Sequence, residues 1–159
     1  IGINAQIRSD SGNAEGVGFA IPINAAKRSM AQLIGTGRVV YAYLGVTTET
    51  LTPTLARHLG YEAARGAIVS AVRDGSPADR ADLEGGDGRE TFNGVRVTQG
   101  GDVIVAIDGK PVRSADDVVR EISERLPGQT VAVTIVRDSD RKLVRVRLGS
   151  RPTAPGTNP

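Results

Sequence analysis

Apolar positions in this chain recur mostly in short, strand-like runs, with one well-marked helical stripe late in the sequence. Gly2-Ile3-Asn4-Ala5-Gln6-Ile7 alternates at every second residue, as a half-buried strand does. Val17 to Ile21 predicts a second strand, stopped by Pro22, and the stretch from Ser9 to Gly16 between them is rich in turn-forming residues. Asn24 then caps a predicted helix running to about Thr36, with Met30, Leu33 and Ile34 on its buried side. Gly35 and Gly37 end it, and residues 35–41 are the expected junction.

A second region runs from about Ala42 to Leu148. Strands are predicted at 43–48, 66–72 and 102–107, and a short helix capped by Thr52-Pro53 runs to Leu59. Ser76 as N-cap and Pro77 at the first helical position open another short helix, ending at Leu83. Ser114 caps a helix whose apolar residues Ala115, Val118, Val119, Ile122 and Leu126 follow a three-four spacing. Val131–Val136 and Leu143–Leu148 form a last hairpin around Asp138-Ser139-Asp140. Asn93-Gly94 between short β-prone runs marks a further hairpin, which makes the segment at about 85–101 an insertion on the surface. Residues 150–159, rich in Pro, Gly and Thr, are expected to be a disordered tail.

Composition narrows the chemistry. Of 159 residues, 39% are hydrophobic but only 3% aromatic, with no Trp, so the core is built from Val, Ile, Leu and Ala. Lys and Arg number 20 against 18 Asp and Glu, and the charges are mixed along the chain. With so few rings to stack bases, nucleic acid is not an expected partner. The absence of cysteine excludes disulfides, thiolate zinc sites and a Cys nucleophile. His58, the sole histidine, reads as a surface or packed residue. No Gly-x-Ser-x-Gly, metal-spaced histidine or phosphate loop occurs, and neither cofactor nor metal is expected. Arg137, Arg141, Arg145 and Arg147 read as a solvated face, with an acidic partner as the sharper alternative. No stretch approaches the roughly 20 apolar residues that span a bilayer. The first residues look like the middle of a strand, so an upstream part is expected.

The candidate chemistry lies in Tyr43-Leu44-Gly45-Val46. Backbone amides of Leu44, Gly45 and Val46 could converge on one anion as a nest, and Gly45 permits a turn that a β-carbon could block. Leu44 and Val46 would line a pocket, Thr47 and Thr48 would pair with an added strand, and the helix from Ser114 would form the opposite wall. That arrangement suits capture of a peptide C-terminus. The plainer readings stay open: an ordinary buried strand start at 43–46, and a helix stripe that is all core.

The order of these motifs resembles a known family. Tyr43-Leu44-Gly45-Val46, then Ser76-Pro77-Ala78-Asp79-Arg80-Ala81-Asp82-Leu83, then Gly101 to Val112, then the helix from Ser114, is similar to a bacterial-type PDZ domain over residues 42–149. Ile1-Gly2-Ile3-Asn4 followed by Gly16-Val17-Gly18-Phe19-Ala20-Ile21-Pro22 resembles the end of the trypsin-like protease domain of the HtrA/Deg family. The resemblance implies an α+β, mostly β fold: a PDZ-like, partly open barrel or sandwich with two or three helices. Residues 1–37 before it would be the last strands and helix of a chymotrypsin-like barrel; with strand edges exposed, they are expected to be loosely held, swapped, or paired with another copy. It implies that the family's nucleophile motif, His and Asp lie upstream, so no catalytic residue carries over. Ser9 to Gly16 would lie near a specificity pocket. By the same resemblance Val119 and Ser123 join the groove, while Ala115, Val118 and Ile122 face the core. The implied partners are peptide C-termini and unfolded proteins, in a periplasmic or envelope protease that trimerises through its missing domain. A non-proteolytic envelope scaffold is the alternative. One departure is Asp82, where the family usually has Gly in a left-handed turn; Asp tolerates that conformation better than most residues.

Overall fold

The computed structural model describes residues 2–8 and 17–152. The chain divides into two compact units, Ile1–Val40 and Tyr41–Pro159. In the first, strand β1 (Gly2–Arg8) pairs antiparallel with β2 (Val17–Pro22), and helix α1 (Ile23–Thr36) follows. The predicted buried stripe of α1 is instead exposed: Met30 is 57%, Leu33 52% and Ile34 82% accessible. An apolar stripe is buried only by a facing layer, and the described residues of this unit supply no more than a two-stranded ribbon. The loop expected near a specificity pocket lies outside the described residues.

The second unit is built on an antiparallel sheet in the order β11-β10-β8-β5-β4, with the short β9 (Lys110–Pro111) beside β8. Its strands are β4 (Val46–Leu51), β5 (Gly66–Val72), β8 (Val103–Ile107), β10 (Thr130–Arg137) and β11 (Asp140–Arg147). The sheet is open: among the described residues β4 and β11 are its two edges and no pairing joins them. Its interior strands β5 and β8 read as near-continuous apolar runs because both faces are covered. On one face, helix α3 (Ala115–Ser123) lays Val118 and Ile122 on Val69, Ile104, Val133 and Ile135. On the other, helix α2 (Pro53–Leu59) packs Leu55 and Ala56 on Leu51, Ile68, Val103 and Val136.

That second face corrects the reading of residues 85–101. They do form a hairpin, β6 (Gly88–Phe92) and β7 (Val95–Gln99), turning at Asn93-Gly94 with both residues at positive φ. It is not a surface appendage, since Val97 joins the α2 core and Thr98 is fully buried. Glu49 on β4 accepts the Thr98 N–H at 3.0 Å and its hydroxyl at 2.6 Å, and Tyr61 Oη donates to Gly100 O at 2.8 Å. His58 Nε2 lies 2.8 Å from Glu90 Oε1, with its ring 4.8 Å from that of Phe92.

Local signals acted largely as read. Thr52 Oγ1 caps α2, accepting from Leu55 N–H, and Ser114 Oγ caps α3, accepting from Asp117 N–H. Asp117 Oδ2 reaches back past the cap and accepts from Arg113 N–H at 2.8 Å. Residues Ser76–Leu83 shrink to one 3-10 turn, Asp79–Ala81, closed by Asp82 in the left-handed region at φ 55°. Helix α3 stops at Ser123, short of Leu126, which is exposed. Ser150 and Arg151, expected in the tail, are instead held by neighbours: β12 (Gly149–Ser150) pairs with β3 (Ala42–Tyr43), and Arg151 N–H donates to Tyr41 O at 2.9 Å. Residues 153–159 lie outside the described residues.

Arg137 departs most from expectation. Rather than decorating a solvated face, it grips Asp102, which is 0% exposed, through Nε–Oδ1 at 2.6 Å and Nη2–Oδ2 at 2.8 Å. It also donates to Glu84 Oε1 and to Asp82 O. Such a fork-to-fork pair satisfies a carboxylate that water cannot reach, and it holds the guanidinium more firmly protonated than usual.

Candidate functional site

The site begins with the backbone between β3 and β4. Gly45 sits at φ +95°, and a Cβ there would lie 2.2 Å from Ser76 Cβ. Only glycine fits this turn. Ala78 N–H donates to Leu44 O and Arg73 N–H to Gly45 O, both at 2.9 Å, so the carbonyls point into the protein. The amides are then left facing outward. Among the described residues, neither the Leu44 nor the Gly45 N–H donates to an acceptor of the chain.

The β4 register continues this logic. The Arg73-to-Gly45 bond makes Val46 and Val72 a non-hydrogen-bonded pair, so Val46 N–H faces away from β5. Thr48 is paired with Val69, whose own N–H and C=O are used by Asp102 and Gly86. Thr48 therefore also offers its backbone polar groups to the free edge. Thr47 does not: it sits at the register shift, with its carbonyl accepting from Ser70 Oγ at 3.2 Å.

Opposite this edge lies α3. Its start is tied to β4 by Ala115 N–H donating to Thr50 Oγ1 at 3.0 Å. Its far end, at Ile122 and Ser123, reaches the Tyr43–Val46 turn across one groove. The groove is lined by Tyr43, Leu44, Gly45, Val46, Thr48, Val119 and Ser123. Seven of the eight residues expected from the sequence thus meet in one place, and Thr47 stays outside. Val119 is 65% exposed, so it is not core. Val118 and Ile122, expected only as core, are buried and also form the floor. Tyr41, Ala42 and Arg151 line the groove as well. They carried no sequence signal, because the β3–β12 pairing that brings Arg151 there joins residues more than a hundred apart.

Asp117, Arg120 and Glu121 on α3 already have charged partners. Glu121, almost fully buried, takes Lys110 Nζ at 3.0 Å and Arg125 Nη1 at 3.3 Å. The lysine bond, opposed by burial and aided by Arg125, holds its carboxyl below the usual range. Arg120 pairs with Asp117 at 2.5 Å and Arg125 with Asp108 at 2.6 Å. What remains along the groove is an apolar floor, a strand edge with free hydrogen-bonding groups, and a turn of unsatisfied amides. Such a channel can add an extended peptide to β4 and hold an anion at one end. A second concavity lies between Tyr61 and Arg137, whose own side chains already bond within the chain. No metal-binding cluster of His, Cys, Asp and Glu occurs among the described residues, and no described helix is long and apolar enough to cross a membrane.

Comparison with known proteins follows this geometry. A probable periplasmic serine endoprotease, DegP-like, of Rhizobium meliloti (strain 1021) is 33% identical over 153 residues, 96% of this chain and 27% of that protein. A protein of the same name from Hahella chejuensis (strain KCTC 2396) is 36% identical over 152 residues, 96% of this chain and 29% of that protein. The chain therefore spans under a third of the length of these curated relatives. The solved structure of the HtrA-type protease AlgW with a decapeptide is 32% identical and superposes with a TM-score of 0.72, covering 96% of this chain and 42% of the other. Residues 42–148, the whole of the groove-bearing sheet and its helices, match the PDZ domain model, and the chain belongs to the PDZ domain family.

Proposed function

We propose that the groove between β4 and α3 captures the free C-terminus of a peptide or an unfolded protein. The observation that carries this reading is the outward set of amides at Leu44, Gly45 and Val46, held by a turn only glycine permits. The peptide lies along Val46 and Thr48 as an added strand, and its last side chain sits on Leu44, Val118 and Ile122. Residues of medium apolar size, such as Val, Leu or Ala, suit that floor. The similarity to periplasmic endoproteases supports a place in protein quality control: this module presents substrates or signals to a serine protease domain that forms trimers, in the periplasm or envelope. The module itself binds and does not cut.

The test is calorimetry with peptides ending in Val, Leu or Ala, each as the free acid and as the amide. Amidation should weaken binding by about tenfold or more, the loss of one strong charge-assisted contact, and V119E should abolish it. Equal affinity for acid and amide would overturn carboxylate capture.

A further inference from the structure

We propose that Arg151 is the countercharge for the ligand carboxylate and sets the rate at which C-termini are captured; this rests on the groove reading above. The amide turn lies at the C-terminal end of α3, since the helix starts at Ala115 beside Thr50 and ends with Ile122 and Ser123 beside Tyr43–Val46. A helix C-terminus carries partial negative charge and disfavours an anion. Glu124 caps that end and adds a carboxylate to it. Three neutral N–H groups must therefore hold a carboxylate against an adverse local field, and a nearby cation would offset it.

Among the described residues, the available cations reduce to one. Lys110, Arg120 and Arg125 are engaged by acidic side chains. Arg73 does not line the groove. Arg151 does, and it has no carboxylate partner among the described residues. Its backbone is fixed beside Tyr41 by the bond from its N–H to Tyr41 O and by the β3–β12 pairing before it. Its root is thus ordered while its side chain is unspent. A rim charge of this kind acts mainly on association and on salt dependence.

The experiment uses the full chain and a fluorescein-labelled decapeptide ending in valine, as free acid and as amide, with R151Q, R151K and the groove control V119E. Stopped-flow association of the acid should slow by about three- to fivefold in R151Q, with dissociation nearly unchanged and R151K close to the parent. Raising salt from about 50 to about 300 mM should slow the parent and leave R151Q almost flat. Amide binding should be the same in the parent and R151Q. Tight binding of the acid with R151Q at parental rates would overturn the role of Arg151 alone. Equal loss of acid and amide in R151Q would overturn it too, by placing the contact elsewhere on the peptide. Failure of the parent to bind the acid would overturn the groove reading and this inference together. If R151Q changes the melting temperature, R151K decides the matter: slowing by the same factor in this charge-preserving variant would overturn the role.

Discussion

Gly45 and Asp102 show how much single residues decide. Gly45→Ala must move a Cβ out of Ser76 in a backbone conformation that L-residues avoid. We expect a loss of about 1–3 kcal/mol in chemical denaturation, with peptide binding lost as well. Asp102→Ala leaves Arg137 Nε and Glu84 N–H without their acceptor, and breaking such a buried pair costs about 3–5 kcal/mol; urea titration measures it. Acid sensitivity follows from Asp108, Asp117 and Glu121. For Asp108, burial pushes the carboxyl up, but the Ala132 N–H and Arg125 outweigh it; for Asp117, the Arg113 N–H and then Arg120 pull it down. All three are depressed in the folded chain, so their contribution is full above the ordinary carboxylate range of about 4 and is lost as pH falls through the folded values. The melting temperature should hold above about pH 5 and fall below about pH 4. E121Q should lower it at neutral pH and converge with the parent in acid.

At the scale of elements, the β6–β7 hairpin is where sequence and structure part. Asn93-Gly94 announced the turn, because a two-residue hairpin needs positive φ at both positions. Nothing local announced that Thr98 would be buried against Glu49. We expect Glu49→Ala to leave Thr98 N–H without its acceptor at a cost of about 1–3 kcal/mol. Amide exchange should quicken across β6 and β7 while β10 and β11 stay protected. Caps were legible for the same reason as the turn: Thr52, Ser114 and Asp82 act within four residues of themselves. Helix ends were less so, since α3 could have run to Leu126 on pattern alone and stops where its buried face runs out.

For the whole molecule, every buried core residue among those described lies between Ala42 and Leu148. A chain of residues 41–152 should therefore unfold in one cooperative transition, at the melting temperature of the main transition of the full chain, and keep its peptide affinity. Calorimetry of the two lengths checks this. The sequence by itself determined what depends on neighbours in the chain: strand and helix periods, the glycine turn at 45, the caps, and through motif order the PDZ assignment. Seven of the eight residues expected from the sequence line one groove, because the turn, the strand after it and one helix face are each local features. Tertiary structure alone decided what depends on residues far apart in sequence. It exposed the α1 stripe, set Arg137 against the buried Asp102, turned the Thr47 carbonyl toward β5, and brought Arg151 beside Tyr41. Burial and charge pairing are properties of the space between elements, and side chains such as arginine suit a solvated face and a buried ion pair equally well until that space is defined.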